Sequence, residues 1–339
     1  MSSNPLNASA LADYLRAQGL SSASQLRITA LTGGQSNPTF IVDDGARRLV
    51  LRKKPPGQLL ASAHAIDREY RVMRALQDSD VPVPRMLGYC EDEALLGTPF
   101  YLMEFLDGRV LGDQSLPGWT REDRTRLYDD INRVIAALHG VDYRAIGLEG
   151  YGKVGQYLSR QIDRWSRQTL ASTVPVPQAL SELMRWLPAH LPEDDDETTL
   201  VHGDFRLDNL ILHPHEPRVI GVLDWELSTL GHPLADFSYH VMSWRIAPTL
   251  WRGIGGLDLH ALGIPPEADY VRGYAQRTGR DPQKRWNFYM AFSLFRMAAI
   301  LHGIAERAAQ GTAAAADAVE TGRKAAPLAD LGWACAQEA

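Results

Sequence analysis

The polar run VHGDFRLDN at residues 201–209, with Asp224 in LDWE fifteen positions after Asn209, most constrains how this chain can fold. The apolar, strand-like segments TLVHG, LILH and VIGVLD surround the run. Charged and amide side chains rarely occur so densely beside core-type sequence unless they pair with one another or bind a ligand. We therefore predict a strand–loop–strand segment that collects a polar site at the edge of a core.

The residue types in this segment suit phosphoryl transfer. The carboxylate of Asp204 can accept a proton, and the oxygens of Asn209 and Asp224 are hard ligands of the kind that Mg²⁺ prefers. Arg206 lies two residues after Asp204 and can neutralise charge on a phosphoryl group. A positioned base, a metal ion and a cation are the parts that phosphoryl transfer requires.

The order of predicted elements indicates an α+β chain of two parts. Apolar, β-branched runs over residues 26–53, a helical pattern over 64–77 and two runs within 85–105 predict five strands with one helix. After Gly108 the chain turns to long helical patterns. We predict an N-lobe over residues 1–106 with a five-stranded antiparallel sheet and one helix, and a mostly helical C-lobe over 107–339.

Three further segments give structural expectations. The apolar stretch 288–301 contains Arg296 and predicts a buried helix, too short to span a bilayer. The Ala-rich stretch 308–318 predicts a helix, because Ala is a strong helix former. Four histidines that suggest a metal site are instead predicted to be solvent-exposed: His213, His215, His232 and His240.

The motifs together resemble a known family. HGD and Asn209 followed by DWE match the spacing of the protein-kinase pattern H-R-D-x-x-x-x-N and its following D-F-G. Their wording resembles the aminoglycoside phosphotransferase-like branch of the kinase-like superfamily. RKKPPGQLL, DREYRVM and HGDFRLDNLI are similar to the subgroup associated with acyl-CoA dehydrogenases. The resemblance runs from about residue 25 to 300 and implies a protein-kinase-like bilobal fold, with ATP and Mg²⁺ as cofactors. It implies that the N-lobe covers the nucleotide and that the C-lobe contains the catalytic loop and the acceptor site.

The resemblance implies roles in the polar run. Asp204 would be the catalytic base, and His202 would orient the loop. Arg206 stands where protein kinases have a Lys that contacts the γ-phosphate. Asn209 and Asp224 would bind Mg²⁺. Asp236, in GHPLADFSY, resembles an acidic residue that braces the catalytic loop from a helix start, so we interpret it as structural support.

The resemblance also implies a nucleotide site in the N-lobe. The segment TGGQSN (32–37) takes the place of the turn that covers the phosphates, and YLMEFLDG (101–108) resembles the hinge beside the adenine. Glu69 fits the helix glutamate that pairs with the strand cation, although alone it is typical of a surface helix residue. The implied nucleotide-binding residues are Gly34, Ser36, Asn37, Arg52, Glu69, Met103, Glu104 and Leu106.

The strand cation departs from the family pattern. Where kinases read V-A-I-K, this chain reads L-V-L-R, so Arg52 replaces the Lys, with Lys53 beside it. Alternation along the strand puts Val50 and Arg52 on one face and Lys53 on the other, which favours Arg52 as the phosphate ligand. The planar guanidinium is not interchangeable with an ammonium group, and Lys53 remains the alternative.

Composition limits the partners. The net charge of −6 argues against a general nucleic-acid binder, and the two cysteines exclude a disulfide framework. The first twenty residues lack the pattern of a secretory signal, so we expect a cytoplasmic protein with no membrane partner. The sequence leaves the oligomeric state and the choice between ATP and GTP open.

The leading hypothesis is an ATP- and Mg²⁺-dependent kinase that phosphorylates a hydroxyl of a small molecule, in particular a hydroxyacyl compound or its CoA thioester. The alternatives are an aminoglycoside or amino-alcohol phosphotransferase, a nucleotide-binding pseudokinase with a regulatory role, and a metal-dependent hydrolase that uses His202, Asp204 and Asp224. The three intact polar residues of the kinase pattern argue against the pseudokinase.

Overall fold

The computed structural model describes residues 6–31, 37–55, 65–193, 196–282, 285–313, 315 and 317–339. The chain divides into two compact units. The first comprises Met1–Arg109, Ile211–Pro214 and Ile220–Leu227, and the second comprises Val110–Leu210, His215–Val219 and Ser228–Ala339. The first unit therefore includes two short segments from beyond the predicted boundary at residue 106.

The helices are α1 (Ala8–Ala17), α2 (Ile66–Leu76), α3 (Glu93–Leu96), α4 (Arg121–Gly140), α5 (Tyr157–Leu170), α6 (Gln178–Ala189), α7 (Pro233–Val241), α8 (Leu259–Leu262), α9 (Glu267–Thr278), α10 (Trp286–Ala309), α11 (Ala318–Arg323) and α12 (Ala325–Gln337). The strands are β1 (Arg27–Ala30), β2 (Thr39–Asp43), β3 (Arg48–Lys53), β4 (Met86–Cys90), β5 (Phe100–Glu104), β6 (Thr199–Val201), β7 (Leu210–Leu212), β8 (Val219–Val222) and β9 (Thr229–Gly231).

The first unit is built on a five-stranded antiparallel sheet in the order β1-β2-β3-β5-β4. Strand β3 lies at its centre, where Arg52 is opposite Thr39 on β2 and Tyr101 on β5. One face packs against α1, whose Leu11 and Leu15 are fully buried in a core with strand residues. Burying each such side chain contributes about 1.5–3 kcal/mol, so this core fixes the strand that carries Arg52.

Helix α2 is amphipathic in the way the sequence predicts. Its apolar residues Ile66, Val72, Met73 and Leu76 are buried on one face. Glu69 falls on that same face and is only 1% exposed. Glu69 is therefore not the surface residue that it would be typical of when taken alone, because the periodicity that buries the apolar residues buries Glu69 with them.

Helix α10 runs through the middle of the second unit. It has 24 residues, so the 14-residue stretch read from the sequence underestimates its length. By length and composition it could cross a membrane, but 78% of its most apolar window is buried within the protein, and the core helix of a soluble protein has the same properties. The prediction of a buried helix is confirmed, and the buried set includes Arg296.

The Ala-rich stretch 308–318 is not a continuous helix. Helix α10 ends at Ala309 and α11 begins at Ala318, and the described residues between them are turns and irregular chain. Gly311 adopts the left-handed conformation, with a φ of 70°, and Thr312 donates its N–H to the carbonyl of Arg307. A left-handed glycine closing the last turn is a common helix end, and here it outweighs the propensity of Ala.

The chain that leaves the sheet passes very close to the hairpin of β7 and β8. A Cβ atom on Gly108 would lie 2.4 Å from Cγ2 of Ile211 and 2.5 Å from the carbonyl oxygen of Leu212. Next to this contact, Arg109 exchanges two backbone hydrogen bonds of 2.8 Å with Leu212. Only glycine fits at position 108, so the close approach ties residues 211–214 to the first unit.

We expect Gly108→Ala to lower the free energy of unfolding by about 1–3 kcal/mol, because the added methyl group must displace backbone. The matched control is Gly112→Ala, since an added methyl group there would meet no atom of the described residues within 4 Å and its φ is not positive. Chemical denaturation of both variants measures the difference. Equal stabilities for the two variants would contradict the close packing at Gly108.

Candidate active site

The first unit holds a buried ion pair between β3 and α2. Nε of Arg52 lies 2.9 Å from Oε2 of Glu69, and Nη2 of Arg52 lies 3.3 Å from Oδ1 of Asp224. Burial is the largest single influence and opposes the charge on Arg52, but Glu69, Tyr101 and Asp224 together outweigh it, so the pKa of Arg52 is raised above its ordinary value. The guanidinium is therefore a permanent cation fixed between two carboxylates.

Two neutral groups complete the environment of Glu69. Nδ2 of Asn37 donates to Oε1 at 2.9 Å, and the hydroxyl of Tyr101 donates to Oε2 at 2.9 Å. A buried carboxylate needs such partners, because each unmade hydrogen bond would cost about 1–3 kcal/mol. Asn37, which the sequence assigns to the nucleotide, therefore uses its side-chain nitrogen to hold Glu69. Gly34 and Ser36 lie outside the described residues.

Lys53 has a different environment from Arg52. Its ammonium group donates to the carbonyl oxygen of Leu96 at 2.6 Å, and its side chain is buried. Burial lowers the pKa of Lys53 below its ordinary value. The alternation predicted for β3 thus separates the two cations: Arg52 pairs with Glu69 and Asp224, while Lys53 ties β3 to the end of α3.

The hinge residues lie at and after the end of β5. Met103 is buried opposite Val50 and Met86, and Glu104 is exposed. The N–H of Glu104 donates to the carbonyl of Arg85 at 2.9 Å, so this group already has a partner within the sheet. Leu106 is half-buried, and its side chain packs against Gly221, where an added Cβ atom would lie 2.6 Å from Cδ1 of Leu106. Contacts of Met103, Glu104 and Leu106 with a base stay predictions.

Asp224 follows β8 in a turn and does not end the strand itself. Its φ of 65° is in the left-handed region, which costs a non-glycine residue roughly 1–2 kcal/mol. The next residue, Trp225, is fully buried and donates its indole N–H to the carbonyl of Val222 at 2.9 Å. This anchor holds Asp224 in place, with 35% of its side chain exposed.

In the second unit, a buried carboxylate fixes the loop after β6. The oxygens of Asp236 accept the backbone N–H groups of His202 and Gly203, each at 2.8 Å, and Nε2 of His139 lies 3.1 Å away. Burial would raise the pKa of Asp236, but the bond from His139 and the amide of His202 outweigh it, so that pKa is below its ordinary value. The interpretation of Asp236 as structural support is confirmed.

The carboxylate of Asp204 is held at both oxygens. Tyr239 donates its hydroxyl to Oδ1 at 2.6 Å, and Asn209 donates Nδ2 to Oδ2 at 3.0 Å. The same nitrogen of Asn209 donates to the backbone carbonyl of Asp204 at 2.8 Å. With its nitrogen committed to Asp204, the amide oxygen of Asn209 is the atom left to bind a cation.

The other two residues of the run support the loop. His202 is fully buried, and its Nδ1 accepts the N–H of Asp204 at 3.2 Å, as expected of an orienting residue. Nε of Arg206 lies 3.3 Å from Oδ2 of Asp204 and 3.1 Å from Oδ1 of Asp208. Arg206 therefore pairs with two carboxylates of its own loop, and its contact with a phosphate stays a prediction.

Two residues with direct access to the Asp204 loop were missed from the sequence. One is Tyr239, whose helical spacing of three residues from Asp236 puts both on one side of α7. The other is Arg296 of α10, which donates Nη2 to the carbonyl of Gly203 at 2.7 Å, with its guanidinium carbon 4.9 Å from the ring centre of Tyr239. A charged residue inside an apolar helix is the signal that could have identified Arg296.

The histidine prediction is half right. His215 is exposed and His213 is half-buried. His232 and His240 are buried. Nδ1 of His232 accepts the N–H of Leu234 at the start of α7, and Nε2 of His240 lies 2.8 Å from the hydroxyl of Tyr270. Burial lowers the pKa of His240 to about 4. Within the described ranges no three His, Cys, Asp or Glu side chains form a metal-type cluster.

A pocket within the second unit adjoins Asp204. Tyr239 and Arg206 belong to its lining, which also has apolar, neutral polar and charged members: Gln114, Asp208, His240, Met242, Ser243, Ile246, Trp251, Arg252 and Met297. Arg252 forms an ion pair with Asp208. The lining thus combines two guanidinium groups, the carboxylate of Asp208 and hydrocarbon surface, and two of its members, Tyr239 and Arg206, contact Asp204.

Comparison with known proteins identifies relatives along most of the chain. A model of the phosphotransferase enzyme family matches residues 27–285. Acyl-CoA dehydrogenase family member 10 of Mus musculus is 46% identical over 327 residues, which are 96% of this chain and 30% of that protein. Acyl-CoA dehydrogenase family member 11 of Rattus norvegicus is 41% identical over 326 residues, 95% of this chain and 42% of that protein. The chain thus spans less than half the length of these relatives.

Solved structures share the fold. A candidate aminoglycoside phosphotransferase from Ralstonia eutropha JMP134 has 53% identity and a TM-score of 0.92, covering 98% of this chain and 99% of that one. A hygromycin B and AMP-PNP complex of an aminoglycoside phosphotransferase mutant has 18% identity and a TM-score of 0.59, covering 96% and 99% of the two chains. A microcompartment-associated aminopropanol kinase has 19% identity and a TM-score of 0.61, covering 97% of each. The last two show the fold alone.

The sequence-based resemblance and the α+β kinase-like fold class are confirmed by these comparisons. The roles assigned to individual site residues stay predictions, which the following variants test.

The ion pair between Arg52 and Glu69 predicts different effects for the two neighbouring cations. If Arg52 contacts the phosphates as predicted, Arg52→Met should weaken nucleotide binding about tenfold or more, because that charge-assisted contact would be lost. Lys53→Met should lower the free energy of unfolding by about 1 kcal/mol through loss of its bond to Leu96, with little effect on nucleotide affinity. Calorimetric titration with Mg·ATP and thermal unfolding measure both.

Arg52→Lys is the control for this pair, because it keeps a cation beside the buried Glu69. If Lys53→Met weakened nucleotide binding and Arg52→Met did not, then Lys53 would be the phosphate ligand.

The contact between Tyr239 and Asp204 predicts that Tyr239→Phe lowers turnover about tenfold while nucleotide affinity stays near wild type. The reason is that the carboxylate loses the donor that fixes one of its oxygens. Tyr151→Phe is a matched control, because its hydroxyl lies 2.7 Å from Oγ of Ser228 and not beside Asp204. Steady-state turnover, measured with any acceptor that the protein phosphorylates, tests this prediction. Unchanged turnover in Tyr239→Phe would contradict a positioning role.

Proposed function

Because the chain belongs to the phosphotransferase enzyme family, we propose that it transfers the γ-phosphoryl group of ATP to a hydroxyl of a hydroxyacyl compound, either the free acid or its CoA thioester. That the chain is a phosphotransferase with an alcohol group as acceptor follows from the family and its kinase-like neighbours. The nucleotide, the metal and the acceptor are the proposed parts.

The observation that carries the proposal is the carboxylate of Asp204, held by Tyr239 and Asn209. A carboxylate fixed in this way can accept the proton of an acceptor hydroxyl within hydrogen-bond distance. As the hydroxyl oxygen forms its bond to the γ-phosphorus, the bond from that phosphorus to the bridging oxygen breaks and ADP leaves. The proton goes to Asp204, which balances the step.

Residues of the first unit are proposed to bind the nucleotide. Arg52 is a cation held by Glu69, and it can contact the phosphates through guanidinium N–H groups that its carboxylate partners leave available. Asp224, with 35% of its side chain exposed, keeps one carboxylate oxygen besides the one that faces Arg52.

Asn209 and Asp224 fit Mg²⁺ by donor type, since both offer oxygen atoms and Mg²⁺ retains waters and phosphate oxygens in such sites. When bound, the metal neutralises charge on the β- and γ-phosphates. The role of the protein residues is to hold the nucleotide and to keep Asp204 fixed for the proton.

The proposed acceptor site begins at the pocket lined by Tyr239 and Arg206, which both contact Asp204. This pocket has a volume of only about 20 Å³, so most of an acyl chain would lie outside it. Its guanidinium groups from Arg206 and Arg252 suit an anionic acceptor, and Met242, Ile246 and Trp251 suit a hydrocarbon segment. The names of the relatives, which carry the words acyl-CoA dehydrogenase, favour the same class of compound. A hydroxyacyl group has both features, together with the hydroxyl that phosphoryl transfer needs.

The second candidate function is phosphorylation of an aminoglycoside or an amino alcohol, which the names of the solved neighbours favour. Such acceptors are cationic. Arg206 and Arg252 in the pocket would repel them, and the nearby Asp208 already pairs with both arginines. The charge distribution therefore favours the hydroxyacyl class.

A panel of hydroxy acids, hydroxyacyl-CoA thioesters, amino alcohols and aminoglycosides, each incubated with Mg·ATP, tests the proposal. We expect acceptor-dependent ADP release and a phosphomonoester on the hydroxyacyl compounds, detected by phosphorus NMR. Arg252→Ala should raise KM for these acceptors about tenfold. The matched control is Arg272→Ala, which removes an exposed arginine paired with Asp269 on α9.

Rapid phosphorylation of aminoglycosides with none of the hydroxyacyl compounds would contradict the proposed acceptor class. ATP consumption that did not depend on any acceptor would contradict the proposed reaction.

A further inference from the structure

The second unit contains another cavity, of about 370 Å³, between the end of α10, helices α11 and α12, and the loop after α5. This volume lies within the range of roughly 300–1,000 Å³ that is usual for small-molecule sites. None of its lining residues belongs to the candidate active site. The phosphotransfer chemistry therefore does not explain the cavity.

Most of the lining is apolar. The loop after α5 contributes Val174, Pro175 and Pro177, and α10 contributes small side chains over its last two turns, Ala305, Ala308 and Ala309. Val319 of α11, also in the lining, is 57% exposed, which is unusual for a large aliphatic side chain. A hydrocarbon chain bound in the cavity would cover the exposed side chain of Val319.

The walls are fixed by polar contacts behind them. Oε2 of Glu306 accepts hydrogen bonds from Oγ of Ser172 at 2.6 Å and from the N–H groups of Thr173 and Val174 at 2.9 and 3.1 Å. These contacts fasten the loop wall to α10. On the opposite side, α11 lies against α10 so closely that a Cβ on Gly322 would be 2.7 Å from Ala305. The cavity is therefore largely preformed.

One buried polar group in the lining has no protein partner. His302 is 2% exposed, and its Nε2 atom makes no hydrogen bond to the part of the chain that the structure describes. Burial lowers the pKa of His302, so its ring is neutral at pH 7 and can carry its one proton on Nε2. A buried donor without a hydrogen-bond partner is unfavourable, and an acceptor atom of a ligand would satisfy it.

A free charge lies in the same lining. Arg323 is exposed and forms no ion pair with any carboxylate in the described part of the chain. Its side chain is long and flexible, so it can follow a charged group at the mouth of the cavity. An anionic group is the natural partner of a guanidinium in this position.

We propose that this cavity binds a small amphipathic carboxylate with an unbranched hydrocarbon chain. The chain packs against the Pro and Ala walls, and the carboxylate accepts hydrogen bonds from Arg323 and from Nε2–H of His302. This site is separate from the pocket beside Asp204 and does not depend on the proposed function.

Isothermal titration of the full chain with decanoate and with decanol, without nucleotide, tests the site. Decanoate should bind more tightly than decanol, because only decanoate carries the charge. Arg323→Ala should weaken decanoate binding about tenfold and leave decanol binding unchanged. His302→Leu should also weaken decanoate binding, and Ala308→Phe should block both ligands by filling the cavity.

Arg126→Ala is the matched control, since it removes an exposed arginine on α4 without altering the cavity. Equal affinities of the wild-type chain for decanoate and decanol would overturn carboxylate recognition. Loss of decanoate binding in Arg252→Ala but not in Arg323→Ala would place the ligand beside Asp204 and overturn the site. Absence of binding by either ligand would overturn it as well.

Discussion

The carboxylate of Asp236 is the interaction on which the candidate site depends. It accepts the backbone N–H groups of His202 and Gly203 and is itself held by His139. Arg296 binds the carbonyl of Gly203 from the other side. All of these residues are buried, and removing one partner of such a network typically costs roughly 3–5 kcal/mol. These contacts hold the backbone of the loop and thereby position Asp204.

In the first unit, the buried carboxylate of Glu69 is stabilised by an ion pair with Arg52. Glu69 is buried by the periodicity of α2 and would be strongly unfavourable alone, but it receives donors from Arg52, Asn37 and Tyr101. The same guanidinium reaches Asp224, which is held in a left-handed turn. Charged groups are thus fixed in advance in both units, which is what a reaction with little covalent chemistry for the protein to do requires.

Sequence reasoning succeeded where a pattern is local. The loop that collects Asp204 and Asn209 was predicted from a polar run between two strand-like segments. The face of β3 on which Arg52 lies was predicted from strand alternation. Helix and strand positions followed from hydrophobic periodicity because burial on one face decides them.

Sequence reasoning failed where long-range packing or a single residue decides. Tyr239 and Arg296 reach the loop from helices that are distant in sequence, and no local pattern encodes those contacts. The buried state of His232 and His240 depends on tertiary partners in the same way. In the Ala-rich stretch, one left-handed glycine at position 311 outweighs the propensity of its neighbours.

The central claim is that Asp204 acts on the acceptor proton whereas Asp224 acts on the metal-bound nucleotide. The most direct measurement compares Mg·ATP affinity and single-turnover rate for Asp204→Asn and Asp224→Asn with one identified acceptor. Asp204→Asn should lose roughly 10²–10⁴ in rate and keep its nucleotide affinity. Asp224→Asn should lose both turnover and Mg²⁺-dependent nucleotide binding. Loss of Mg·ATP binding in Asp204→Asn with normal binding in Asp224→Asn would contradict this account.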